Sequence, residues 1–215
     1  MEILVQQLIN GLVLGSVYAL IALGYTLVYG ILELINFAHG EVAMIGAMVS
    51  LAVIQGVVGA GLGLPGPLIV VTGVLVAIPV CMLLGYSIER IAYRPLRRAP
   101  RLAPLITAIG VSIILQNLAM IIWGRQYIAF PPVLDNTRHL VAGATVTNVQ
   151  IAIVLLSASI MSGLLILIQK TRLGRAMRAT AQAPDIAGLM GVNINRIISI
   201  AFVMGSALAA IAGVM

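Results

Sequence analysis

The sequence is poor in charged side chains, and this shortage excludes most soluble folds. Only 8% of its 215 residues are Asp, Glu, Lys or Arg, whereas 61% are hydrophobic. An average soluble domain carries roughly 25% charged residues, so this chain has too little polar surface to cover a soluble globule. The same hydrophobicity excludes intrinsic disorder, because disordered segments are polar. We therefore expect an integral membrane protein.

Motifs for enzymatic chemistry are missing as well. The single cysteine, Cys81, excludes a disulfide framework and a cysteine-rich metal site. The two histidines, His39 and His139, belong to no His-Glu-x-x-His sequence, and no Gly-x-Ser-x-Gly sequence occurs. A Gly-x-x-x-x-Gly-Lys-Ser/Thr loop is also absent, so any energy from ATP must come from another chain. We therefore predict that the chain is not an enzyme, with no catalytic residue, metal ion or cofactor.

The positive charge of the chain is concentrated in two short segments. The formal net charge is +6, and ten of the twelve Lys and Arg residues lie within 89–104 and 170–196. Long uncharged segments flank both, which is the pattern of loops on one side of a bilayer. A basic patch for nucleic acid would not be arranged in this way. We expect contact with membrane lipid and none with nucleic acid.

Six apolar stretches are long enough to cross a membrane as helices, for which about 20 residues suffice. Pro65-Gly66-Pro67 separates the second stretch from the third, since proline lacks an amide donor and glycine permits turns. No segment alternates with period two, so a β-barrel is not expected. We predict an all-α, polytopic transmembrane helix bundle that forms a single domain over residues 1–215. The predicted spans are 11–32, 42–62, 67–88, 104–124, 148–169 and one that begins at 197.

The two basic segments lie two crossings apart and therefore face the same side of the membrane. The positive-inside rule places them in the cytoplasm and places the loop 125–147 outside. With three crossings before residue 89, the N-terminus is predicted to be extracytoplasmic. The last span ends in Ala212-Gly213-Val214-Met215, without a polar residue, so we expect the natural protein to continue beyond it.

Four polar residues interrupt the apolar sequence between the first two spans. They are Glu33, Asn36, His39 and Glu41. At about 100° per residue they cannot share one face of a helix, because His39 and Glu41 lie about 160° apart. Two interpretations remain open: a loop at the cytoplasmic interface, or a broken helix that is buried in protein or lines a cavity.

The segment 170–196 predicts two short helices on the cytoplasmic side. Residues 171–182 form a basic helix. Pro184 and Asp185 begin a second helix, since proline suits the first turn and an acid suits the helix dipole there. Gly191 is placed to end this second helix.

The second short helix carries an apolar stripe. Ile186, Leu189 and Met190 recur at positions i, i+3 and i+4. A helix of two turns has little stability alone, so the stripe should bury itself in lipid or in a partner protein. The last span then starts at Asn193 or Asn195, either of which can cap a first turn.

Several sequence strings resemble a known family of transport proteins. One is Gly24-Tyr25-Thr26-Leu27-Val28-Tyr29-Gly30-Ile31-Leu32 with Ile35-Asn36-Phe37-Ala38-His39-Gly40-Glu41. Another is Leu173-Gly174-Arg175-Ala176-Met177-Arg178-Ala179, which continues through 188–193 to Ala201-Phe202. They are similar to permease subunits of branched-chain amino-acid ABC importers of the LivH type, and the resemblance covers essentially the whole chain.

The resemblance implies an inner-membrane permease that works with other chains. Its partners would be a second permease subunit (LivM-like), two cytoplasmic ATP-binding subunits and an extracytoplasmic solute-binding protein. The segment 170–196 resembles the ATPase-coupling loop of the family, with the apolar stripe as its docking edge. The residues assigned to coupling in this way are Gly174, Arg175, Ala179, Pro184, Asp185, Ile186, Ala187, Gly188, Leu189, Met190 and Gly191.

A translocation path for leucine, isoleucine or valine should be mostly apolar, with a few polar groups for the zwitterion. Gln116 and Asn117 fit such a path, but they fit hydrogen bonds between packed helices as well. The candidates for the path are Tyr25, Asn36, His39, Glu41, Gln116 and Asn117.

Two alternatives stay open at this point. Amides, urea or other amino acids are possible substrates of related permeases, and the residues do not separate them. The second alternative is an ion-coupled secondary transporter, in which Glu33, His39 and Glu41 would form a proton relay.

Overall fold

The computed structural model describes residues 2–61, 63–97, 99–100, 102–126, 128–134, 137–141 and 144–215. Its α-helices are α1 (Glu2–Leu32), α2 (His39–Gly59), α3 (Gly66–Ile88), α4 (Leu102–Trp123), α5 (Asn148–Lys170), α6 (Arg172–Gln182), α7 (Pro184–Leu189) and α8 (Ile194–Val214). A π-helical turn (Glu89–Tyr93) and a 3₁₀ turn (Arg94–Leu96) continue α3. An antiparallel hairpin, β1 (Arg138–Val141) and β2 (Ala144–Thr147), precedes α5. The predicted all-α polytopic bundle is confirmed.

Six helices in the described part of the chain are long and apolar enough to cross a membrane, namely α1 to α5 and α8. The largest difference from the predicted spans is in α1, which begins at Glu2 and not near residue 11. Gln6 explains the difference, because its side-chain amide accepts a hydrogen bond from the Thr145 amide (2.8 Å) and donates one to the Thr145 carbonyl (3.1 Å). The hairpin thus satisfies the polar first turns of α1.

Local capping sets the bounds of several helices. The Thr147 side chain accepts from the Gln150 amide, and the Gln150 side chain accepts from the Thr147 amide, so a capping box starts α5. Gly191 has a positive φ of 86° just after α7, as a helix-terminating glycine requires. Asn193 Oδ1 accepts from the Arg196 amide (3.1 Å) and starts α8, which selects Asn193 over Asn195.

Two clusters of buried side chains form the core, and both include residues of α8. In the first cluster, Phe202 and Ala209 of α8 pack mainly with residues of α2, α3 and α4. In the second, Ile197 and Leu208 of α8 pack with residues of α1, α5 and α6. Among the spans of the described chain, α8 is accordingly the most buried.

Small residues allow the backbones around α8 to approach closely, as lipid-embedded helices require. A Cβ atom on Gly213 would lie 2.1 Å from the Ala43 carbonyl oxygen, and one on Gly205 would lie 3.1 Å from the Gly24 carbonyl oxygen. The backbones of α1 and α2 therefore contact α8 directly at these two points.

The basic segments 89–104 and 170–196 share one end of the bundle, which we call the basic end. Arg97 lies near the start of α8, next to Asn195. The hairpin and the first turns of α1 lie together at the opposite end. Arg98, Arg101 and Asp135, which belong to the loops used to predict the orientation, lie outside the described residues.

Candidate functional site

The polar stretch between α1 and α2 is an extended break that runs back into the bundle. The chain reverses at Glu33, whose φ is positive (54°), and α2 begins at His39. A Cβ atom on Gly24 would lie 2.5 Å from Nε2 of His39. Gly24 lies eight residues before Leu32, or about 12 Å along α1. The structure thus favours the break buried in protein over a loop at the end of the bundle.

Asn36 holds this break in place. Its buried Oδ1 accepts hydrogen bonds from the Ala38 amide (3.2 Å) and the Tyr93 hydroxyl (3.0 Å). Its carbonyl oxygen accepts from the His39 amide (3.1 Å). The Tyr93 ring packs on Phe202 of α8, with 5.2 Å between ring centroids. Asn36 therefore connects the break to the π-helical turn and to α8.

His39 is completely buried between α1 and α8. The centroid of its ring lies 4.5 Å from the ring centroid of half-buried Tyr25. The ring also packs against the backbone at Gly24 and Gly205. Among the residues that the structure describes, none forms a hydrogen bond with His39 Nε2. Both Tyr25 and His39 thus belong to the α1 side of the break.

Glu41 lies on the other side, against the middle of α4. Its Oε1 accepts from Ser112 Oγ (3.0 Å) and from Gln116 Nε2 (2.7 Å). Asn117 is exposed and donates to the Ile113 carbonyl of its own helix (2.8 Å), so no bond joins it to Glu41. We call Glu41, Ser112 and Gln116 the α2–α4 polar cluster.

Five of the six candidate path residues thus divide into two groups, and Asn117 belongs to neither. Tyr25, Asn36 and His39 line the break on its α1 side, whereas Glu41 and Gln116 meet between α2 and α4. The relay alternative needs His39 and Glu41 to cooperate, yet they contact different neighbours. Glu33 is exposed at the start of the break.

A buried ion pair at the basic end was not predicted from the sequence. Glu89, in the π-helical turn, is fully buried and pairs with Arg97. The Ser199 hydroxyl donates to Glu89 Oε2 (2.7 Å), and Arg97 donates to Asn195 Oδ1 (2.5 Å). Burial lowers the pKa of Arg97 and the Glu89 charge opposes this, but an arginine stays protonated.

In the sequence, the charges of Glu89 and Arg97 are a visible signal, but they do not indicate that the two residues form a pair. Glu89 follows a long uncharged stretch and Arg97 belongs to the basic segment after it, so their charges marked only the end of a span. Their eight-residue separation is not a helical pairing distance. The π-helical and 3₁₀ turns between them bring the two side chains together.

Helix α6 packs under the bundle through one buried face, formed by Gly174, Met177 and Thr180. A Cβ atom on Gly174 would lie 2.1 Å from the Ile168 carbonyl oxygen, so glycine is required at this contact. Arg175 and Ala179 are exposed on the opposite face. Of the α6 coupling candidates, Gly174 is therefore a packing residue and the other two are accessible.

Helix α7 presents its apolar stripe to the outside. The exposed fractions are 64% for Ile186, 88% for Leu189 and 81% for Met190, whereas Ala187 is buried against the bundle. No helix in the described part of the chain covers the stripe. The neighbouring coupling candidates Pro184, Asp185, Gly188 and Gly191 are also exposed.

Comparison with known proteins assigns the chain to a protein family. Residues 7–215 match the family described as branched-chain amino acid transport system / permease component. No solved structure matches the chain.

Curated relatives align over nearly the whole chain. It is 46% identical over 214 residues to the high-affinity branched-chain amino acid transport system permease protein BraD of Pseudomonas aeruginosa, covering 98% of this chain and 69% of BraD. It is 46% identical over 215 residues to the corresponding permease protein LivH of Escherichia coli K12, with the same coverage. A probable LivH of Methanocaldococcus jannaschii is 28% identical over 205 residues, 95% of this chain and 63% of that protein.

These relatives are transport permeases and not enzymes, as predicted for this chain. Six apolar helices and a matching family model agree on a multi-pass membrane protein. The chain belongs to the permease component family of branched-chain amino acid transport systems.

Proposed function

We propose that the chain is the membrane-spanning permease subunit of an ATP-driven importer for branched-chain or related amino acids. It forms the translocation path together with a second permease subunit. Two cytoplasmic ATP-binding subunits drive transport through the segment 170–196, and an extracytoplasmic binding protein delivers the solute. The transport systems named for BraD and LivH support the substrate class.

The uncovered stripe on α7 is the observation that carries the proposal. Three large apolar side chains, Ile186, Leu189 and Met190, project from a helix of six residues. Such a helix is too short to be stable without its surroundings, and it is held between α6 and α8. An exposed apolar patch of this kind is typical of a surface that contacts another protein or the membrane. We infer that this stripe docks on an ATP-binding subunit.

A series of contacts between α7 and the rest of the bundle provides a route by which docking on α7 can displace residues of the translocation path. Helix α7 leads through Gly191 to Asn193 and the first turn of α8. In the first two turns of α8, Asn195 and Ser199 bind the Glu89–Arg97 pair. The π-helical turn that carries Glu89 also carries Tyr93, which binds Asn36 in the break between α1 and α2. Hydrogen bonds and short chain segments thus connect the α7 stripe to the break.

The proposed orientation of the chain in the membrane follows from the positive-inside rule. The basic end, with the α7 stripe, faces the cytoplasm, where ATP is hydrolysed. The N-terminus and the hairpin then face the extracytoplasmic side, where a binding protein can reach them. The stripe contains three of the eleven coupling candidates. Because these side chains are exposed, a mutation there tests the coupling without altering the bundle core.

Leu189→Arg is the direct test of docking. In the reconstituted transporter, we expect this variant to lose ATP-dependent leucine uptake and co-purification with the ATP-binding subunits. Gln182→Arg is the matched control, because it adds the same charge at an exposed position of the same segment, outside the stripe. Uptake and ATPase association that both survive in the Leu189→Arg variant would contradict the proposal.

The secondary-transporter alternative predicts a different energy source. Uptake by an importer stops when ATP is depleted and continues when a protonophore collapses the proton gradient. A carrier that relies on Glu33, His39 and Glu41 would show the reverse. Measuring uptake in vesicles under both conditions therefore separates the two.

A further inference from the structure

The α2–α4 polar cluster holds the Glu41 carboxylate at mid-depth in the bundle, and the described residues place no balancing charge beside it. Ser112 and Gln116 are the eleventh and fifteenth of the 22 residues of α4, so they lie near its middle. Both are uncharged, and both bind the same oxygen of Glu41, Oε1. In the part of the chain that the structure describes, no residue donates to the other oxygen, Oε2, and none forms a salt bridge with Glu41.

In the ranges that the structure describes, no lysine or arginine lies at this depth. Helices α2 and α4 contain no lysine or arginine, and the basic segments lie at the end of the bundle. The other carboxylate in the span region, Glu89, is already paired with Arg97. Glu41 is therefore distinguished from Glu89 by an open oxygen and an unbalanced charge.

The cluster also lies at the bundle surface. Glu41 and Ser112 are half-buried and Gln116 is exposed. An ionisable side chain that faces lipid at mid-depth is expensive, and such groups face protein or a water-filled path instead. This surface between α2 and α4 thus faces the path or the second permease subunit.

We propose that Glu41 binds the ammonium group of the amino acid as it passes through the permease. Ser112 and Gln116 hold Oε1 and orient the carboxylate, so that Oε2 is directed to the solute. This inference rests on the proposed function, since a zwitterionic solute supplies the missing cation. A charge-assisted bond of this kind favours amino acids over their hydroxy-acid analogues, which lack the ammonium group.

The test uses the complete transporter in proteoliposomes, with the binding protein outside, ATP inside and radiolabelled leucine as the probe. We expect Glu41→Gln to lower the rate of leucine uptake by about tenfold or more, the effect of losing one hydrogen bond to a charged group. Glu41→Asp, which keeps the charge, should retain more uptake than Glu41→Gln. ATPase stimulation by the loaded binding protein should persist in both variants, because docking is unchanged.

Two further variants keep the test interpretable. Ser159→Ala is the control for side-chain loss, since Ser159 is exposed in α5 and its hydroxyl donates to the Leu155 carbonyl of its own helix. Gln116→Lys places an ammonium group within reach of Glu41. We expect this internal cation to block uptake while preserving the thermal stability of the protein.

Each outcome has a defined meaning. Wild-type uptake in the Glu41→Gln or the Gln116→Lys variant would overturn the proposal. So would loss of the second permease subunit from purified Glu41→Gln transporter, because the balancing cation would then belong to that subunit. If uptake by the wild-type protein does not depend on ATP, the proposed function itself fails, whereas normal ATP dependence with an inert Glu41 rejects this inference alone.

Discussion

Glu89 and Arg97 form an ion pair across two irregular helical turns, and the Glu89 side chain is fully buried. Both partners also bind the first turns of α8, through Ser199 and Asn195. The pair therefore joins the end of α3 to the start of α8.

Glu89→Gln should destabilise the protein by about 3 kcal/mol, because it leaves a desolvated guanidinium without its counter-charge. A thermal-shift measurement on the purified protein would show a lower melting temperature. Arg90→Gln is the control, since Arg90 is exposed and its guanidinium contacts Tyr86 of the same helical segment. Equal melting temperatures for Glu89→Gln and wild type would mean that the pair does not hold α3 against α8.

The bond between Tyr93 and Asn36 should be worth about 1 kcal/mol. Tyr93→Phe removes the hydroxyl but keeps the ring that packs on Phe202. Asn36→Ala should cost more, since Asn36 also binds the Ala38 amide. A double-mutant cycle on the melting temperature measures the coupling, and fully additive losses would show that the two side chains act independently.

Gly213→Ala should destabilise the bundle by about 1–3 kcal/mol, because its methyl group would collide with the Ala43 carbonyl. Gly110→Ala is the opposite case, in the interior of α4 with open space around it. There alanine should stabilise the helix by up to about 1 kcal/mol. Melting temperatures that shift in the same direction for both variants would contradict the close contact between α8 and α2.

The exposure of Leu189 allows a labelling experiment. Cys81, the one cysteine of the chain, is buried, so a Leu189→Cys variant carries one accessible thiol. In vesicles, we expect a membrane-impermeant maleimide to label it from the cytoplasmic side, and assembly with the ATP-binding subunits to protect it.

Gln182→Cys is the matched control for this labelling, because it lies outside the α7 stripe and should stay reactive after assembly. Labelling of Leu189→Cys from the extracytoplasmic side would reverse the proposed orientation. Equal labelling of both variants with and without the ATP-binding subunits would show that the stripe does not dock.

The sequence predicted the elements that depend on composition and local signals. Apolar length gave the six spans, Pro65-Gly66-Pro67 marked the start of α3, and the pattern of Pro184 to Gly191 gave α7. Gly191 and the asparagine at the start of α8 have backbone requirements that a local pattern reveals. These predictions needed no knowledge of how the helices pack.

Features that depend on packing were not predicted. Whether the break before His39 lay inside the bundle could not be decided, because its depth is set by the contact with Gly24 on another helix. Ser112 was missed as a partner of Glu41, since residues separated by 71 positions give no periodic signal. The hairpin was missed because its strands have four residues each, too few for a clear alternation.

Helix α8 belongs to both core clusters, and this shared membership has a mechanical consequence. The α1, α5 and α6 group and the α2, α3 and α4 group each use α8 as a common wall. A tilt of α8 would therefore act on both groups of helices at the same time. A pull applied at its first turn would reach the membrane interior without a separate relay of side chains.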